Sequence, residues 1–172
     1  MKRKYYIWFV ILIALLVGVS YFDINFSRSY HHRLSKTTDL KDENISGIYL
    51  GDRIDDEKVE SQYGKITEFS HDNVMYDYYF LSENIEVATE KNGKKIIRFV
   101  VNDKNIESYK GVKIGDSKER VVDLYGDNYY ERLEQGTNII GYVDKNKKTS
   151  IEFWLGINDE VVFYRLDYNF LE

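Results

Sequence analysis

Cysteine is absent from the 172-residue chain, and histidine occurs only three times. The absence of cysteine excludes a disulfide framework, and it also excludes attachment to a membrane through a lipid-modified cysteine. The fold must therefore be held by its hydrophobic core alone. Nucleophilic catalysis would have to rely on serine or threonine together with one of the few histidines.

Long hydrophobic runs are also scarce, and the chain has one near its N-terminus. Tyr5–Val19 contains no charged residue, and the apolar character continues to Phe22, which gives 18 residues. The basic residues Lys2–Lys4 precede the run, so the chain that follows is expected outside the cytoplasm. The length is near the lower limit for crossing a bilayer and above the usual length of a secretory h-region.

We interpret residues 1–22 as a signal-anchor, which holds a single-pass protein in the cell membrane through residues 5–22. The C-terminal domain is then extracytoplasmic. The alternative is a cleaved signal peptide and a secreted domain, because Gly18 and Ser20 are small enough to precede a cleavage site.

The polar segment 23–46 shows no sustained periodicity, and we expect it to form a linker or stalk. His31 and His32 lie in this segment. A histidine pair can bind metal, but no ligand cluster lies near it in the sequence, so we interpret the pair as solvated polar residues.

Basic residues are in the minority in the rest of the chain. Without residues 1–22, the chain has 21 Lys and Arg residues against 29 Asp and Glu residues, a net charge of −8. A surface this acidic repels phosphate backbones, and no Lys/Arg cluster stands out against it. The balance therefore argues against nucleic acid as a partner.

A short pattern occurs twice in the chain. Gly47–Asp52 and Gly111–Asp116 share the form Gly-x-x-x-Gly-Asp, and a Val-x-x-x-Tyr-Gly segment follows each of them. In the second copy, Asp116 or Ser117 can cap a helix that ends at Gly126. The repetition predicts one structural unit used twice.

Strand patterns follow each predicted helix, and an Asn92-Gly93 pair predicts a hairpin turn in the first copy. We therefore predict an α+β fold of two tandem units, each a helix with a three-stranded antiparallel meander. The units are expected to share one sheet with the helices on one face, behind the transmembrane helix. The predicted boundaries are 47–108 for the first repeat and 109–172 for the second.

The stretch Ile114–Gly126, with the sequence IGDSKERVVDLYG, resembles the helix of one known superfamily. This is the β-lactamase-inhibitor-protein-like and small outer-membrane-assembly lipoprotein (SmpA/OmlA-like) superfamily, and many exported Firmicutes proteins look similar. The resemblance covers about residues 47–170. It implies a non-enzymatic protein binder that uses the open face of its sheet.

The sequence lacks several motifs that are typical of catalytic and nucleotide-binding sites. The sequence contains no G-x-S-x-G elbow, no H-E-x-x-H, no Walker loop and no dinucleotide fingerprint. We therefore predict that the protein is not an enzyme and has neither a cofactor nor a metal site. His71 is interpreted as a loop residue, with a pH-sensitive contact as the alternative.

An acidic run from Asp52 to Glu57, which includes Asp55 and Asp56, supports one alternative. Carboxylates can hold a hard cation, and an envelope enzyme or cation-dependent domain could use this run with His71. Carboxylates at a helix N-terminus also stabilise the positive end of the helix dipole. We favour this second role, because the run lacks the spacing of a calcium loop.

Aromatic residues are abundant, with 16 Tyr in the chain, and they give the functional hypothesis. Alternation along the strands leaves several aromatic and charged side chains off the helix-covered face. Trp, Tyr and Arg are enriched at binding hot spots. The predicted partner-binding residues are Trp154, Phe163, Arg165, Tyr78, Tyr79 and Glu152.

We predict a membrane-anchored extracytoplasmic binding module that engages a protein or cell-envelope partner through this aromatic face. The alternatives are the cation-dependent domain or envelope enzyme described above, and an inhibitor that is secreted after signal-peptide cleavage. The linker or a subunit could also cover the second face of the sheet.

A metal titration tests the cation-dependent alternative. We expect millimolar calcium or zinc to leave the melting temperature of the protein unchanged, because the acidic run stabilises a helix end and holds no ion. Thermal melting with and without metal is the measurement. A metal-dependent rise that is lost in an Asp55→Asn/Asp56→Asn variant would contradict this prediction.

Overall fold

The structure is a computed structural model, and it describes residues 5, 7–14, 27–72 and 74–168. Residues 5 and 7–14 are helical, and their side chains are exposed. From residue 27 onward, the described chain forms three short helices and eight strands. The helices are α1 (Arg28–Leu34), α2 (Glu57–Tyr63) and α3 (Lys118–Tyr125). The strands are β1 (Phe69–Asp72), β2 (Tyr76–Ser82), β3 (Ile85–Glu90), β4 (Ile96–Val101), β5 (Tyr130–Glu134), β6 (Thr137–Asp144), β7 (Thr149–Leu155) and β8 (Val161–Tyr168).

All eight strands belong to one antiparallel sheet in the order β1-β2-β3-β4-β8-β7-β6-β5. Neighbours in sequence are neighbours in space except at the centre, where β4 pairs with β8. The turns explain the hairpins. Asn92, between β3 and β4, has φ 58°, and Gln135 and Gly136, between β5 and β6, have φ 50° and 81°. Turn residues in this left-handed conformation fit the right-handed twist of the strands that they join.

The Gly-x-x-x-Gly-Asp pattern forms the same turn both times. Gly51 and Gly115 have φ of 96° and 94°, a conformation that favours glycine. Their N–H groups donate to the carbonyls of Ile96 and Val161, at 2.8 and 2.7 Å. Each turn is therefore joined to the first residue of a central strand, β4 or β8.

Helices α2 and α3 lie on one face of the sheet, here called the core face. Ser117 caps α3 by accepting a hydrogen bond from the Arg120 N–H at 3.3 Å, and Gly126 ends it. Both helices are too short to be stable alone, so packing must hold them. Their buried residues Val59, Val121 and Tyr125 join a continuous core that also includes residues of β2, β3, β4, β6, β7 and β8. The largest fully buried side chains of this core are Tyr142, Tyr164, Phe99 and Phe153.

The fold-class prediction of two tandem helix-plus-meander units is wrong. The structure is mostly one eight-stranded sheet, and its main hydrophobic core extends across the centre of the sheet. Two edge strands, β1 and β5, were also not expected. They are short, and three of the five residues of β5 are charged, so it lacks the hydrophobic signal of a buried strand. The repeated turn is thus a local motif within one continuous sheet.

Of the predicted membrane segment Tyr5–Phe22, residues 6 and 15–22 lie outside the described residues. The described part of the chain contains no helix that is long and apolar enough to cross a membrane. The predicted transmembrane helix is therefore not an element of the fold that the structure describes.

The segment that we expected to be a linker, 23–46, lies against the sheet from residue 27 onward. It contains α1, and Thr37 forms an isolated parallel bridge to Val143 in β6. Leu40 and Ile45 are buried in the core. Apolar residues spaced too irregularly for helix or strand periodicity thus hold this segment to the domain.

Gly141 offers a test of packing on the other face of the sheet. Gly141 pairs with Tyr130 across β6 and β5, and a Cβ added at Gly141 would overlap the Tyr130 ring, whose Cε2 would lie 2.8 Å away. We expect Gly141→Ala to lower the free energy of unfolding by about 1–3 kcal/mol, because the ring must move. Urea unfolding measures this. In a Tyr130→Ala background the same substitution should cost much less, and an equal cost in both backgrounds would contradict the prediction.

Candidate functional site

The face of the sheet opposite α2 and α3, here called the second face, carries an unusual set of charged side chains. Strand register brings them together. Arg165 in β8 pairs with Glu152 in β7, and in the next row Asp167 pairs with Arg98 in β4. Since side chains alternate along a strand, these four residues point to the same side of the sheet. With Arg28 and Arg132 they form what we call the arginine–carboxylate cluster.

Glu152 is the centre of this cluster and is fully buried. Its Oε1 accepts hydrogen bonds from Arg132 Nε at 2.7 Å and from the Tyr130 hydroxyl at 2.6 Å. Its Oε2 accepts from Arg132 Nη2 at 3.0 Å and from Arg165 Nη2 at 2.6 Å, and Arg28 Nε lies 3.2 Å away. A buried carboxylate is stable only with such complete pairing.

Asp167 is the second fully buried carboxylate of the cluster. Arg98 Nε donates to its Oδ2 at 3.0 Å, and the Ser150 hydroxyl donates to its Oδ1 at 2.9 Å. Arg28 also pairs with Oδ1. Arg98 in turn donates to the Tyr78 hydroxyl at 2.9 Å, so the hydrogen-bonded network extends from β7 across the sheet centre to β2.

Helix α1 brings Arg28 to the cluster. Ser27 caps the helix by accepting a hydrogen bond from the Tyr30 N–H at 3.3 Å. One turn after Arg28, the buried His32 lies with its Nε2 2.9 Å from the Tyr130 hydroxyl. Because that hydroxyl donates its proton to Glu152, His32 Nε2 must be the protonated nitrogen and donate to the Tyr130 oxygen. Helix α1 is thus held to the second face through both residues.

The electrostatics of the cluster favour the charged states. Burial alone would raise the pKa of Glu152, but the neighbouring Arg28, Arg132 and Arg165 lower it well below its usual range. Four guanidinium groups meet two buried carboxylates, and Glu134 binds Arg132 at 2.6 Å from a more exposed position. The cluster therefore keeps a net positive charge within an acidic protein.

Aromatic rings extend the cluster along the second face. Trp154 and Phe163, which pair across β7 and β8, are stacked with their centroids 4.5 Å apart. The guanidinium of Arg165 lies over the Trp154 ring, 4.6 Å from its centroid, and that of Arg132 lies 5.8 Å away. These are distances for cation–π attraction, so the charged cluster fixes the position of the indole.

The contacts of α1 described above are all with β5, β7 and β8. The β1–β4 side of the second face carries a different set of side chains. There Phe80 and Val100 are half-buried, and the exposed His71 ring is stacked on Tyr78 with centroids 4.1 Å apart. Together with Phe163 at the boundary, these residues form what we call the aromatic patch: His71, Tyr78, Phe80, Val100 and Phe163. Apolar area that is not fully covered on a rigid sheet is a feature of interaction surfaces.

The six residues predicted for partner binding have different environments. Glu152, Arg165, Trp154, Phe163 and Tyr78 lie on the second face, whereas Tyr79 is buried in the core face. Glu152 is fully buried, and Trp154 is only 6% exposed. Phe163 and Arg165 are half-buried. A partner could therefore reach Phe163 and Arg165 directly, whereas Glu152 and Trp154 act beneath them.

The acidic run from Asp52 to Glu57 has structural contacts. Asp52 Oδ2 accepts the Tyr49 N–H at 2.9 Å, and Asp56 Oδ2 accepts the Arg53 N–H at 3.1 Å. Asp55 pairs with the Arg53 guanidinium at the surface. The structure describes this whole run, and in the described residues no group of three or more His, Asp or Glu side chains is placed to hold a metal ion.

Sequence reasoning missed four members of the cluster: Arg28, Arg98, Arg132 and Asp167. Charged residues are rarely buried, so in a sequence they indicate solvent-exposed positions. Alternation along β8 indicates the position of Asp167, because Asp167 lies two residues after Arg165 and therefore on the same side of the strand. No local signal indicates Arg28, because its partner Asp167 is 139 residues away in the chain.

Comparison with solved structures relates the fold to two bacterial proteins. An extracellular protein containing an SCP domain, from Bacillus anthracis, superimposes with a TM-score of 0.50 at 9% identity, over 77% of this chain and 48% of that chain. A cysteine-rich secretory protein from Staphylococcus aureus gives a TM-score of 0.46 at 13% identity, over 74% and 47%. The chain thus spans about half the length of these proteins, and the likeness concerns the fold alone. No protein-family model matches the chain, and no curated protein does.

These comparisons correct the expected family. The Bacillus anthracis protein is described as containing an SCP domain and belongs to neither expected group, so the resemblance to β-lactamase-inhibitor-like proteins and small outer-membrane-assembly lipoproteins is wrong. The residues that suggested it, Ile114–Gly126, form a turn, a serine-capped helix and a glycine stop. Each of these is a local structural feature that occurs in unrelated folds.

Acid unfolding tests the role of Glu152. Because its folded-state pKa is depressed, its stabilising contribution is complete above its unfolded-state pKa of about 4.3 and is lost as the pH falls below that value. Glu152→Gln should lower the free energy of unfolding at pH 7 by about 3–5 kcal/mol, since it removes the negative charge that three buried guanidinium groups share.

Urea unfolding at pH 7 and pH 3 measures both effects. The control is Glu131→Gln, which removes a more exposed carboxylate that pairs with Lys118 at 2.6 Å and should change stability by less than about 1 kcal/mol. If the Glu152→Gln variant lost as much stability between the two pH values as the original protein, Glu152 would not be the acid-sensitive group.

Proposed function

We propose that the chain is an extracytoplasmic binding module, and not an enzyme, that holds a protein or cell-envelope partner on the second face of its sheet. The observation that carries the proposal is the aromatic patch beside a buried, net positive arginine–carboxylate cluster. The cluster uses buried ion pairs to hold Phe163 and Arg165 in fixed positions. Preorganised side chains lose little conformational entropy on binding.

The composition of the second face supports a partner that combines apolar and acidic groups. Phe163, Phe80 and Val100 offer half-buried apolar area, and Arg165 is a half-buried cation next to them. Aromatic and arginine side chains of this kind carry most of the binding energy in many interfaces. The net positive charge of the cluster adds attraction for acidic groups of the partner that approach Arg165, whereas the Glu86 carboxylate lies between Phe80 and Val100.

The geometry around His71 favours binding over hydrolysis. His71 Nδ1 lies 3.2 Å from the Ser70 hydroxyl and 3.4 Å from Glu86. A catalytic serine–histidine–carboxylate arrangement needs the serine on one ring nitrogen and the carboxylate on the other. Here both groups compete for the same nitrogen, so this trio cannot relay a proton from serine.

A location outside the cytoplasm is part of the proposal. It is supported by the basic residues that precede the apolar segment and by the structural likeness to a protein described as extracellular. Attachment to the cell membrane is the finer part of this expectation, and cell fractionation with an antibody against the domain decides between a bound and a released form.

Site-specific photo-crosslinking tests the binding face. A photoreactive phenylalanine analogue is placed at Phe163, at Phe80 or at the control position Leu133, which is 62% exposed and lies on the opposite side of the sheet. In the native cell envelope, we expect adducts of the same mass from Phe163 and Phe80 and none of that mass from Leu133.

A second set of variants makes the result quantitative. Phe163→Ala should reduce capture of the crosslinked partner by at least about tenfold, as expected of a hot-spot residue, whereas Leu133→Ala should have no effect. Circular dichroism and melting establish that both variants are folded. Equal capture by Phe163→Ala and the original protein, or equal adducts from all three positions, would contradict the proposal.

A further inference from the structure

A separate cavity lies at the end of the sheet, where the chain that precedes α2 meets β7 and β8. Its volume is about 200 Å³. Leu40 and Leu166 give it an apolar wall, while Lys41, Lys147, Glu43 and Thr149 contribute polar atoms. It shares none of these residues with the arginine–carboxylate cluster or the aromatic patch, so it is independent of the binding face proposed above.

Glu43 lines this cavity, and its buried carboxyl group has no ion-pair partner in the part of the chain that the structure describes. It is 5% exposed, and its oxygens accept hydrogen bonds from the Tyr125 hydroxyl at 2.7 Å and from the Tyr109 N–H at 3.2 Å. Lys110 is close enough to influence it, but its ammonium lies over the Tyr125 ring, 4.8 Å from the centroid. No cation pairs with Glu43 in residues 27–72 and 74–168.

Burial is the largest influence on Glu43, and it raises the pKa of the carboxyl above its usual value. Each carboxylate oxygen can accept a further hydrogen bond, since each has two lone pairs and one neutral donor. A buried carboxylate with neutral donors alone is costly, and a cation supplied by a ligand would offset that cost.

Thr149 provides the second observation. Its residue is 9% exposed, and its hydroxyl is buried and has no hydrogen-bond partner in the described part of the chain. A buried hydroxyl normally has a partner, so an unpaired one at a cavity wall indicates a ligand or an ordered water. Two lysines, Lys41 and Lys147, line the same cavity, and both are exposed.

We propose that this cavity binds a small zwitterion with an aliphatic body, such as a free aliphatic amino acid. The ammonium group of the ligand pairs with Glu43. Its carboxylate is bound by Lys41, Lys147 and the Thr149 hydroxyl. The aliphatic part packs against Leu40 and Leu166, so the ligand matches the cavity in charge, hydrogen bonding and apolar surface.

An NMR titration of the full chain with leucine tests this proposal. Two matched probes each lack one charged group: 4-methylpentanoate has no ammonium, and isoamylamine has no carboxylate. We expect saturable shifts of the Glu43 and Thr149 amide signals with leucine, and at least about tenfold weaker binding of either probe, because each leaves one buried polar partner unpaired.

Variants then assign the groups. Glu43→Gln should weaken leucine binding by at least about tenfold, and Thr149→Val, which replaces the hydroxyl with a methyl group of similar size, by about threefold or more. Asp42→Asn is the control, since it removes the same charge from the neighbouring exposed residue. Lys147→Gln is an exposed substitution that keeps the test valid if Glu43→Gln does not fold, and it should also weaken binding.

Three results would overturn the proposal. The first is the absence of saturable shifts at tens of millimolar leucine. The second is binding of 4-methylpentanoate or isoamylamine as tightly as leucine, which would indicate a site for one charge only. The third is unchanged leucine binding in folded Glu43→Gln or Lys147→Gln protein. None of these results depends on whether the second face of the sheet binds a partner.

Discussion

The burial of Glu152 is the interaction on which the second face depends. A carboxylate that loses water in the middle of a sheet must be surrounded by donors, and this one uses Tyr130 together with three arginines. Those arginines then hold the indole of Trp154 and, through Arg28, the helix α1. The side chains of this sheet face are thus arranged around two buried carboxylates, with Glu152 at the centre. The core face needs no such device, because aliphatic and aromatic packing suffices there.

Much of the local structure could be predicted from the sequence, and the reason is physical. Six strands follow from alternation, and Ser117 and Gly126 bound α3 as their cap preferences predict. The edge strands β1 and β5 were missed because edge positions bury too little to need an apolar pattern. The family assignment was wrong because it depended on local structure. A turn, a helix cap and a helix stop are determined by neighbouring residues and not by the fold.

The candidate site could be predicted only in part. Period-two alternation placed Glu152 and Trp154 on one face, and both lie there. It could not indicate that Glu152 is buried, because burial comes from Arg28 and Arg132, which lie in other parts of the chain. Nor could it show that residues 27–46 pack on the domain. Glu43, whose carboxyl group has no ion-pair partner in the described residues, belongs to that packed segment. Sequence patterns therefore could not predict the cavity either.

The pairing of β4 with β8 has a consequence for how the protein folds. The other strand pairs join neighbours in sequence, whereas this central pair closes a loop of about 60 residues, which is entropically costly. The ion pair between Arg98 and Asp167 crosses the same seam. The charged cluster can therefore be complete only after the slowest pairing step. We therefore expect the face that we assign to partner binding to form only once β4 and β8 have paired.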